Sequence, residues 1–344
     1  MAKPGALDYR SAGVDLDAAE CAMEGLKSLV ASTRDEHTLS ALGHFGGLYA
    51  VPGDIASPVL VSSTDSVGTK VVVAFRAGRH DTVGQDLVNH CVDDILVQGA
   101  RPLFFLDYVG CGAMDESVVA AVVGGVATAC KENGCALLGG ETAEMPEFYA
   151  KGEYDLAGFI VGVVERDRIL DGSRVRVGDV LIGLGSTGLH TNGYTLARKI
   201  VFESMGLAID DEFPESGRSV ADVLLDVHRS YLPVLSEALD AGRVRGLAHI
   251  TGGGIPGNLP RTLGSELGAV IDLTTWEVPH VFRVLREAGG VENDEMLRVF
   301  NMGVGMIALV APEDVHGVLE DVSRGDCPAW VMGEVEVGEG VRWA

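Results

Sequence analysis

Basic residues are scarce in this chain, which carries 26 lysines and arginines against 50 aspartates and glutamates and has a formal net charge of −24. Nucleic-acid-binding surfaces need a basic stripe, so this balance argues against a nucleic-acid partner. It does not argue against phosphorylated small molecules, because Mg²⁺ and a few well-placed cations can reverse the local charge.

Long apolar runs and cysteine motifs are also missing. The longest uncharged apolar segment, residues 117–130, is too short to span a bilayer, and the start of the chain has no apolar signal core. None of the six cysteines belongs to a C-x-x-C pair or has zinc-finger spacing. We therefore expect a soluble, cytoplasmic protein with reduced thiols and no membrane partner.

The sequence signatures of P-loop ATPases, serine esterases and common zinc proteases do not occur. Residues 183–188 match G-x-G-x-x-G after a predicted strand, but a dinucleotide-binding loop opens its helix at the third glycine. Here the helical pattern resumes only near Tyr194, so we do not expect a nicotinamide cofactor.

The length of 344 residues exceeds one ordinary core and favours two domains. Charge rises across residues 165–174, and we place the boundary there, between an N-terminal domain of residues 1–168 and a C-terminal domain of residues 174–344. Predicted strands and helices alternate in both, which indicates an α/β (α+β) protein without fixing the sheet topology. The predicted helices include one over 84–98 and a single long one over 219–241.

The strongest functional signal is an apolar run that ends at Asp65 and is followed by Gly68, Thr69 and Lys70. Together these residues supply a hard anion for Mg²⁺, backbone amides free to approach phosphate oxygens, and a cation. The alternative is an ordinary turn after a strand, where Asp, Gly and Thr are common.

A second apolar run leads into a similar cluster over residues 138–146. Its glycines, Gly139 and Gly140, permit close backbone approach and favour Glu141 as a ligand over Glu144.

The predicted helix over 84–98 distinguishes two further carboxylates. At 100° per residue, Asp94 lies at the edge of the apolar arc, whereas Asp93 lies on the opposite, solvent-facing side. We prefer Asp94 because an acid at the core boundary can project into a cleft; the alternative is that both are solvated. Asp65, Asp94 and Glu141 then form a predicted oxygen-only site for Mg²⁺, and zinc is not expected.

Two glycine-rich loops in the C-terminal half are candidate substrate sites. The first precedes a predicted helix and can bind an anion. Within it, His190 can bind phosphate or shuttle a proton, and capping or loop packing is an equal alternative. The second loop admits a substrate close to backbone amides but also fits a bare turn. The candidate residues are Ser186, Thr187, His190, Asn192, Gly252, Gly253 and Gly254.

Taken together, these segments resemble those of the aminoimidazole ribonucleotide synthetases, also called phosphoribosylformylglycinamidine cyclo-ligases. The resemblance runs in order through nearly the whole chain, and its motifs are highly specific. The matching segments are residues 9–15, 64–70, 98–108, 139–146, 190–194, 251–254 and 300–306.

The resemblance implies a two-domain, ATP-binding protomer of the aminoimidazole ribonucleotide synthetase-like superfamily, whose N-terminal mixed-sheet domain forms a homodimer. It implies ATP-dependent ring closure of formylglycinamidine ribonucleotide in purine synthesis, by phosphorylation of the formamide oxygen and attack of the amidine nitrogen. The implied ATP-binding residues are Asp65, Gly68, Thr69, Lys70, Asp94 and Glu141. On this reading Asp65, Asp94 and Glu141 hold Mg–ATP, and Lys70 and His190 are the catalytic candidates.

Three positions depart from the family pattern: Asp93 stands where many members have Asn, Ser66 where many have Gly, and Asn89-His90 where Ala-Met is usual. Thiamine-phosphate kinase, selenophosphate synthetase and the hydrogenase-maturation dehydratase share the same carboxylate–ATP chemistry and are the alternatives within the superfamily. Selenophosphate synthetase needs a reactive cysteine in its N-terminal glycine-rich loop, and residues 42–47 hold none. A non-catalytic nucleotide-sensing module is the alternative of a different class.

Overall fold

The computed structural model describes residues 16–41, 43 and 45–344, with side chains described from residue 24 onward. Two parts of the predicted motifs, residues 9–15 and the positions Leu42 and His44 of the glycine cluster, lie outside the described residues.

A four-stranded mixed sheet forms the N-terminal half. Its strands are β1 (Pro58–Asp65), β2 (Arg101–Cys111), β3 (Ala136–Glu144) and β4 (Tyr154–Glu165). Their spatial order is β1-β4-β2-β3, with β4 antiparallel to β1 and β2 and with β2 parallel to β3. The strands β1, β2 and β3 therefore run in the same direction and end at the same edge of the sheet.

One face of this sheet is covered by helices, whereas the other, here called the open face, has no helix packed on it among the described residues. The helices of this half are α1 (Leu16–Ala31), α2 (Lys70–Ala77), α3 (Asp81–Leu96) and α4 (Glu116–Glu132). Along β1 the half-buried and exposed residues alternate, as expected for a strand with one covered face. Ser63 and Asp65 point towards α3, whereas Leu60 and Thr64 belong to the open face.

The helices α3 and α4 cross at two glycines that allow their backbones to touch. A Cβ atom built on Gly84 would lie 2.1 Å from the carbonyl oxygen of Val122, and one built on Gly125 would lie 1.9 Å from that of Asp81. The residue beside it, Gly124, has no such neighbour, because a Cβ there comes no closer than 4.0 Å to Leu29.

A six-stranded sheet forms the C-terminal half. Its strands are β5 (Val180–Gly185), β6 (Val244–His249), β7 (Leu267–Ile271), β8 (Val304–Val310), β9 (Ala329–Val337) and β10 (Gly340–Trp343). Their order is β10-β7-β9-β5-β8-β6, and all neighbours are antiparallel except the pair β10 and β7. The helices of this half are α5 (Tyr194–Arg198), α6 (Val220–Leu224), α7 (Leu232–Asp240), α8 (Gly254–Asn258), α9 (His280–Gly289), α10 (Asn293–Val299) and α11 (Val315–Ser323).

The prediction of one helix over 219–241 is wrong. The chain forms α6 and α7 there, separated by residues 225–231, and Pro233 lies in the first turn of α7, where proline is well tolerated. The intervening residues bind α3 instead of continuing a helix, since Asn89 Nδ2 donates to the carbonyl oxygen of His228 at 2.7 Å. This contact joins the two halves of the molecule.

Two further observations concern the membrane and thiol expectations. Within the described part of the chain, no helix has both the length and the apolarity needed to cross a membrane. The cysteines Cys91, Cys111, Cys130, Cys135 and Cys327 are buried free thiols.

The adjacent glycines of α4 give a matched test of the α3–α4 contact. Gly125→Ala should lower the free energy of unfolding by about 1–3 kcal/mol because its methyl group meets the α3 backbone. Gly124→Ala should raise it by about 0.5–1 kcal/mol, the gain expected when alanine replaces glycine inside a helix. Urea unfolding of the two variants measures both values, and effects of the same sign would contradict the described crossing.

Candidate active site

Asp65 and Asp94 lie on either side of one imidazole. Asp65 ends β1, and Asp94 lies in the last turn of α3. His90 Nε2 is 3.0 Å from Asp65 Oδ2 and 3.9 Å from Asp94 Oδ2. The two carboxylate side chains are 42% and 25% exposed, so each keeps a side open to solvent. The structure thus brings together two of the three predicted metal ligands.

Hydrogen bonds favour the ionised form of both carboxylates. Partial burial alone would raise the pKa of Asp65, but the hydrogen bond and charge of His90 lower it below its usual range. Burial also opposes ionisation of Asp94, and the hydrogen bond from His249 Nδ1, 3.0 Å from Asp94 Oδ1, lowers its pKa. Ser63 Oγ donates to Asp94 Oδ2 at 2.8 Å. Ionised carboxylates with an exposed side fit Mg²⁺, which takes one or two of them together with water and substrate phosphates.

Glu141, the third predicted ligand, lies elsewhere on the sheet. The strand register steps from Asp65 to Gly158, Asp107 and Gly140. Three strand spacings of about 4.8 Å therefore separate the backbone of Asp65 from that of residue 140, a distance of roughly 14 Å. Glu141 lines a separate cavity beside Gly46 and Gly47. Within a single copy of the chain, Glu141 therefore does not join Asp65 and Asp94 in one site.

Asp93 is buried, so the prediction that it faces solvent is wrong. Its side chain has no exposed surface, Oδ1 accepts the backbone N–H of Tyr231 at 2.8 Å, and burial raises its pKa well above the usual range. The apolar arc of α3 located only the side that packs on the sheet. The opposite side packs on residues 225–231, a contact that no periodicity within α3 reveals. Asp94 is the partly exposed acid of the two and remains the better candidate for binding an ion that enters from solvent.

Lys70 is buried, which does not favour its predicted role at a phosphate. It begins α2, is fully buried, and forms an ion pair with Asp86 of α3, whose Oδ1 accepts from Nζ at 2.9 Å. Nζ also donates to the carbonyl oxygens of His190 at 3.0 Å and Asp226 at 2.7 Å. Because an ammonium group has three protons, all of its donors are used. Lys70 joins α2 and α3 to the C-terminal half.

His190 is part of the loop structure and has little access to solvent. It is 1% exposed, has a φ of 60°, and its ring stacks on His228 at 4.0 Å. Its Nε2 accepts the backbone N–H of Thr187 at 3.2 Å, and burial lowers its pKa well below the usual range. Ser186 Oγ donates to the carbonyl oxygen of Gly188 at 3.0 Å. These contacts favour loop packing over proton transfer as the role of His190.

The predicted ATP loop and the first predicted substrate loop line one open cleft between the two halves. Gly68 and Thr69 lie on one wall, and residues 191–196 lie on the other. The hydroxyl oxygens of Thr69 and Thr195 are 3.1 Å apart. Lys199 also lines this cleft and is exposed. Sequence reasoning missed Lys199, although a lysine one helical turn after an anion-binding loop is a recognisable signal.

The second glycine-rich loop meets the first. A Cβ atom on Gly252 would lie 3.2 Å from Asn192 Oδ1. Gly253 and Gly254 have φ values of 100° and 60°, which favour glycine, and a Cβ on Gly254 would lie 1.9 Å from the carbonyl oxygen of Leu297. Packing therefore explains Gly254 without a ligand, whereas Gly252 and Asn192 lie side by side at the junction of the two predicted substrate loops.

Comparison with known families defines the class of protein. Residues 50–164 match the family described as AIR synthase related protein, N-terminal domain, and residues 176–343 match AIR synthase related protein, C-terminal domain. The phosphoribosylformylglycinamidine cyclo-ligase of Trichlorobacter lovleyi is 51% identical over 337 residues, which cover 98% of this chain and 96% of that protein. The chain belongs to the phosphoribosylformylglycinamidine cyclo-ligase family of AIR synthase related proteins.

Solved structures confirm the predicted fold class. Thiamine-monophosphate kinase from Stenotrophomonas maltophilia is similar with a TM-score of 0.69 at 18% identity, covering 93% of this chain and 95% of that chain. Hydrogenase maturation protein HypE in complex with ATP gives a TM-score of 0.65 at 21% identity, covering 91% and 86% of the two chains. At these identities the likeness concerns the fold alone.

The buried ion pair predicts the effect of removing its lysine. Lys70→Met leaves the carboxylate of Asp86 buried without its cation and should lower the free energy of unfolding by about 3–5 kcal/mol. Lys70→Met/Asp86→Asn removes both charges while keeping an acceptor for the His228 N–H, which donates to Asp86 Oδ1 at 2.7 Å, and should recover most of the loss.

Chemical denaturation measures both variants, and the exposed Lys131→Met serves as the matched control, with an expected change within about 0.5 kcal/mol. A double variant as unstable as Lys70→Met would show that unpaired charge is not the cause.

Proposed function

We propose that this chain catalyses the ATP-dependent cyclisation of formylglycinamidine ribonucleotide to 5-aminoimidazole ribonucleotide, with release of ADP and phosphate, in purine biosynthesis. The observation that carries this proposal is the 51% identity to a protein named phosphoribosylformylglycinamidine cyclo-ligase across nearly the full length of both chains. The ATP requirement is supported by a structural neighbour that is described in complex with ATP.

The proposed reaction has two steps. The γ-phosphoryl group of ATP moves to the formamide oxygen of the substrate, the formamide nitrogen loses its proton, and ADP is released. The amidine nitrogen then forms a bond to the formyl carbon, the carbon–oxygen bond breaks, phosphate leaves and the nitrogen loses a proton. An amide oxygen is a poor leaving group until it is phosphorylated, and the nucleophile is already part of the substrate. The protein therefore has to position groups and stabilise charge.

The cleft between the two halves supplies residues for these tasks. Asp65 and Asp94 would hold Mg²⁺, which offsets the charge of the ATP phosphates when bound. Gly68 and Thr69 offer backbone and hydroxyl groups at the same side of the cleft, and Lys199 replaces Lys70 as the exposed cation near a phosphate. The loops that meet at Asn192 and Gly252 are the proposed ribonucleotide contacts, with Ser186, Thr187, His190, Gly253 and Gly254 supporting them. Glu141 stays a predicted ligand.

Acceptor-dependent phosphate release tests the function. The protein is incubated with Mg–ATP and, separately, with formylglycinamidine ribonucleotide, thiamine monophosphate or selenide. ATP should be consumed only with the first, giving ADP and phosphate. Asp94→Asn should lower this turnover by well over tenfold because it removes a charged metal ligand, whereas Asp167→Asn, an exposed acid outside the cleft, should leave it unchanged.

ATP consumption with another acceptor would show that the proposed substrate is wrong. ATP binding without turnover on any acceptor would instead support a nucleotide-sensing module.

A homodimer through the open face of the four-stranded sheet is the second part of the proposal. Leu60 is 61% exposed and Phe159 is 44% exposed. Register places both on this face, since Thr64 of the same alternating row lies opposite Phe159. Large exposed apolar side chains on a sheet face are typical of a protein–protein contact.

Sedimentation equilibrium tests the dimer. The wild-type protein should sediment as a dimer, and Leu60→Asp/Phe159→Asp should sediment as a monomer because two charges enter an apolar contact. Val337→Asp, which changes a 78% exposed apolar residue of the other sheet, should stay dimeric. A monomeric wild type, or a double variant that is still dimeric, would refute this interface.

A further inference from the structure

Four histidines meet where the two halves of the molecule touch. They are His90 of α3, His190 and His228 of C-terminal loops, and His249 at the end of β6. Each is at most 6% exposed. The ring of His228 lies 4.0 Å from that of His190 and 5.2 Å from those of His90 and His249.

Three ligand-type atoms converge within this cluster. His249 Nε2 is 3.2 Å from His228 Nε2, and His228 Nε2 is 3.4 Å from Asp93 Oδ2. In a tetrahedral site with metal–nitrogen and metal–oxygen bonds of about 2.0–2.1 Å, neighbouring ligand atoms lie about 3.3–3.4 Å apart. These two separations match edges of such a tetrahedron, and all three ligand atoms lie within 4.8 Å of one another.

Protein contacts alone leave this group incompletely satisfied. Asp93 Oδ2 is buried and has no hydrogen-bond partner. The hydrogen bond from His249 Nδ1 to the carboxylate of Asp94 leaves the neutral ring without a proton on Nε2, so that atom presents a lone pair. Without a cation, this lone pair can accept a hydrogen bond from His228 Nε2 at 3.2 Å, whereas Asp93 Oδ2 stays unpartnered. A bound cation would satisfy all three atoms.

The opposite atoms of the same side chains are held in place. Asp94 Oδ1 is 3.0 Å from His249 Nδ1, the backbone N–H of Tyr231 donates to Asp93 Oδ1 at 2.8 Å, and Thr191 Oγ1 lies 3.4 Å from His228 Nδ1. Metal-binding histidines commonly use their second nitrogen in this way, which fixes the ring and selects the nitrogen that binds.

We propose that Asp93, His228 and His249 bind a divalent transition-metal ion of the zinc class, in a site beneath the proposed Mg–ATP position. Two imidazoles and one carboxylate are a ligand set that zinc uses, and three protein ligands leave a fourth position for water. The ligands come from α3, from the segment between α6 and α7, and from β6. The bound ion therefore ties the N-terminal half to the C-terminal half.

A second group of described residues, His90, Asp94 and His249, also places three ligand atoms close together. It is the weaker candidate, because both ring nitrogens of His90 already have partners: Nε2 lies 3.0 Å from Asp65 Oδ2 and Nδ1 lies 2.7 Å from Thr191 Oγ1. Asp93 Oδ2 has no such partner.

Cobalt and zinc titrations test the site in the full chain, stripped with a chelator and kept free of nucleotide and Mg²⁺. We expect one equivalent of Co²⁺ to bind with visible absorption bands, and Zn²⁺ to displace it and raise the melting temperature by several degrees. His228→Asn should weaken Co²⁺ binding at least 100-fold, and the isosteric Asp93→Asn should do so too. His316→Asn, on the surface of α11, is the matched control and should bind like the wild type.

Circular dichroism before titration checks that each variant is folded. If His228→Asn does not fold, the Co²⁺ affinity of Asp93→Asn decides the test. Wild-type protein that takes up no stoichiometric Co²⁺ overturns the proposal, as does equal binding by both variants. Loss of binding in His90→Asn with retention in His228→Asn would place the ion on the second group and also overturn it. Because no nucleotide or substrate is used, the result is independent of the proposed cyclo-ligase activity.

Discussion

The structure depends on a buried polar contact between α3 and the segment that joins α6 to α7. Lys70, Asp86 and Asp93 have no exposed side-chain surface, and their partners are a backbone N–H, backbone carbonyls or one another. Removing charges from water costs several kcal/mol per ion unless geometry and hydrogen bonding compensate. The hydrogen bonds from Lys70 to the carbonyl oxygens of His190 and Asp226, and from the Tyr231 N–H to Asp93, form only when both halves are in place. The contact therefore fixes the position of one sheet relative to the other.

This constraint explains why the candidate site lies where it does. Asp94 belongs to the same helix as the buried acids and follows Asp93 directly, but its side chain is 25% exposed. His90 and His249 connect the contact to the candidate site, since each bonds one of the two predicted metal ligands. A transition-metal ion on Asp93, His228 and His249 would strengthen the same junction directly beneath Asp94. Catalytic groups and domain packing then share one network.

The sequence predicted the strands that lead to Asp65 and Glu141, the helix that carries Asp94, and the loops around Asn192 and Gly252. Local periodicity and turn composition are enough for such elements, and a family resemblance supplied the chemistry.

The environment of Lys70 was not predictable, because its partners His190 and Asp226 are far away in sequence. Asp93 was predicted to face solvent for a related reason. The helix α3 packs on the sheet with one side and on residues 225–231 with the other, and its apolar arc identifies only the side that packs on the sheet. The separation of Glu141 from Asp65 follows from the strand order β1-β4-β2-β3, which the alternation of elements left open.

We infer that Asp65 and Asp94 bind the divalent ion that coordinates the nucleotide phosphates. Crystals grown with Mn²⁺ and a non-hydrolysable ATP analogue test it directly, because the anomalous scattering of manganese locates the ion. We expect an anomalous peak within coordination distance of both carboxylates. A peak beside Glu141, with no manganese within coordination distance of Asp65 or Asp94, would contradict it.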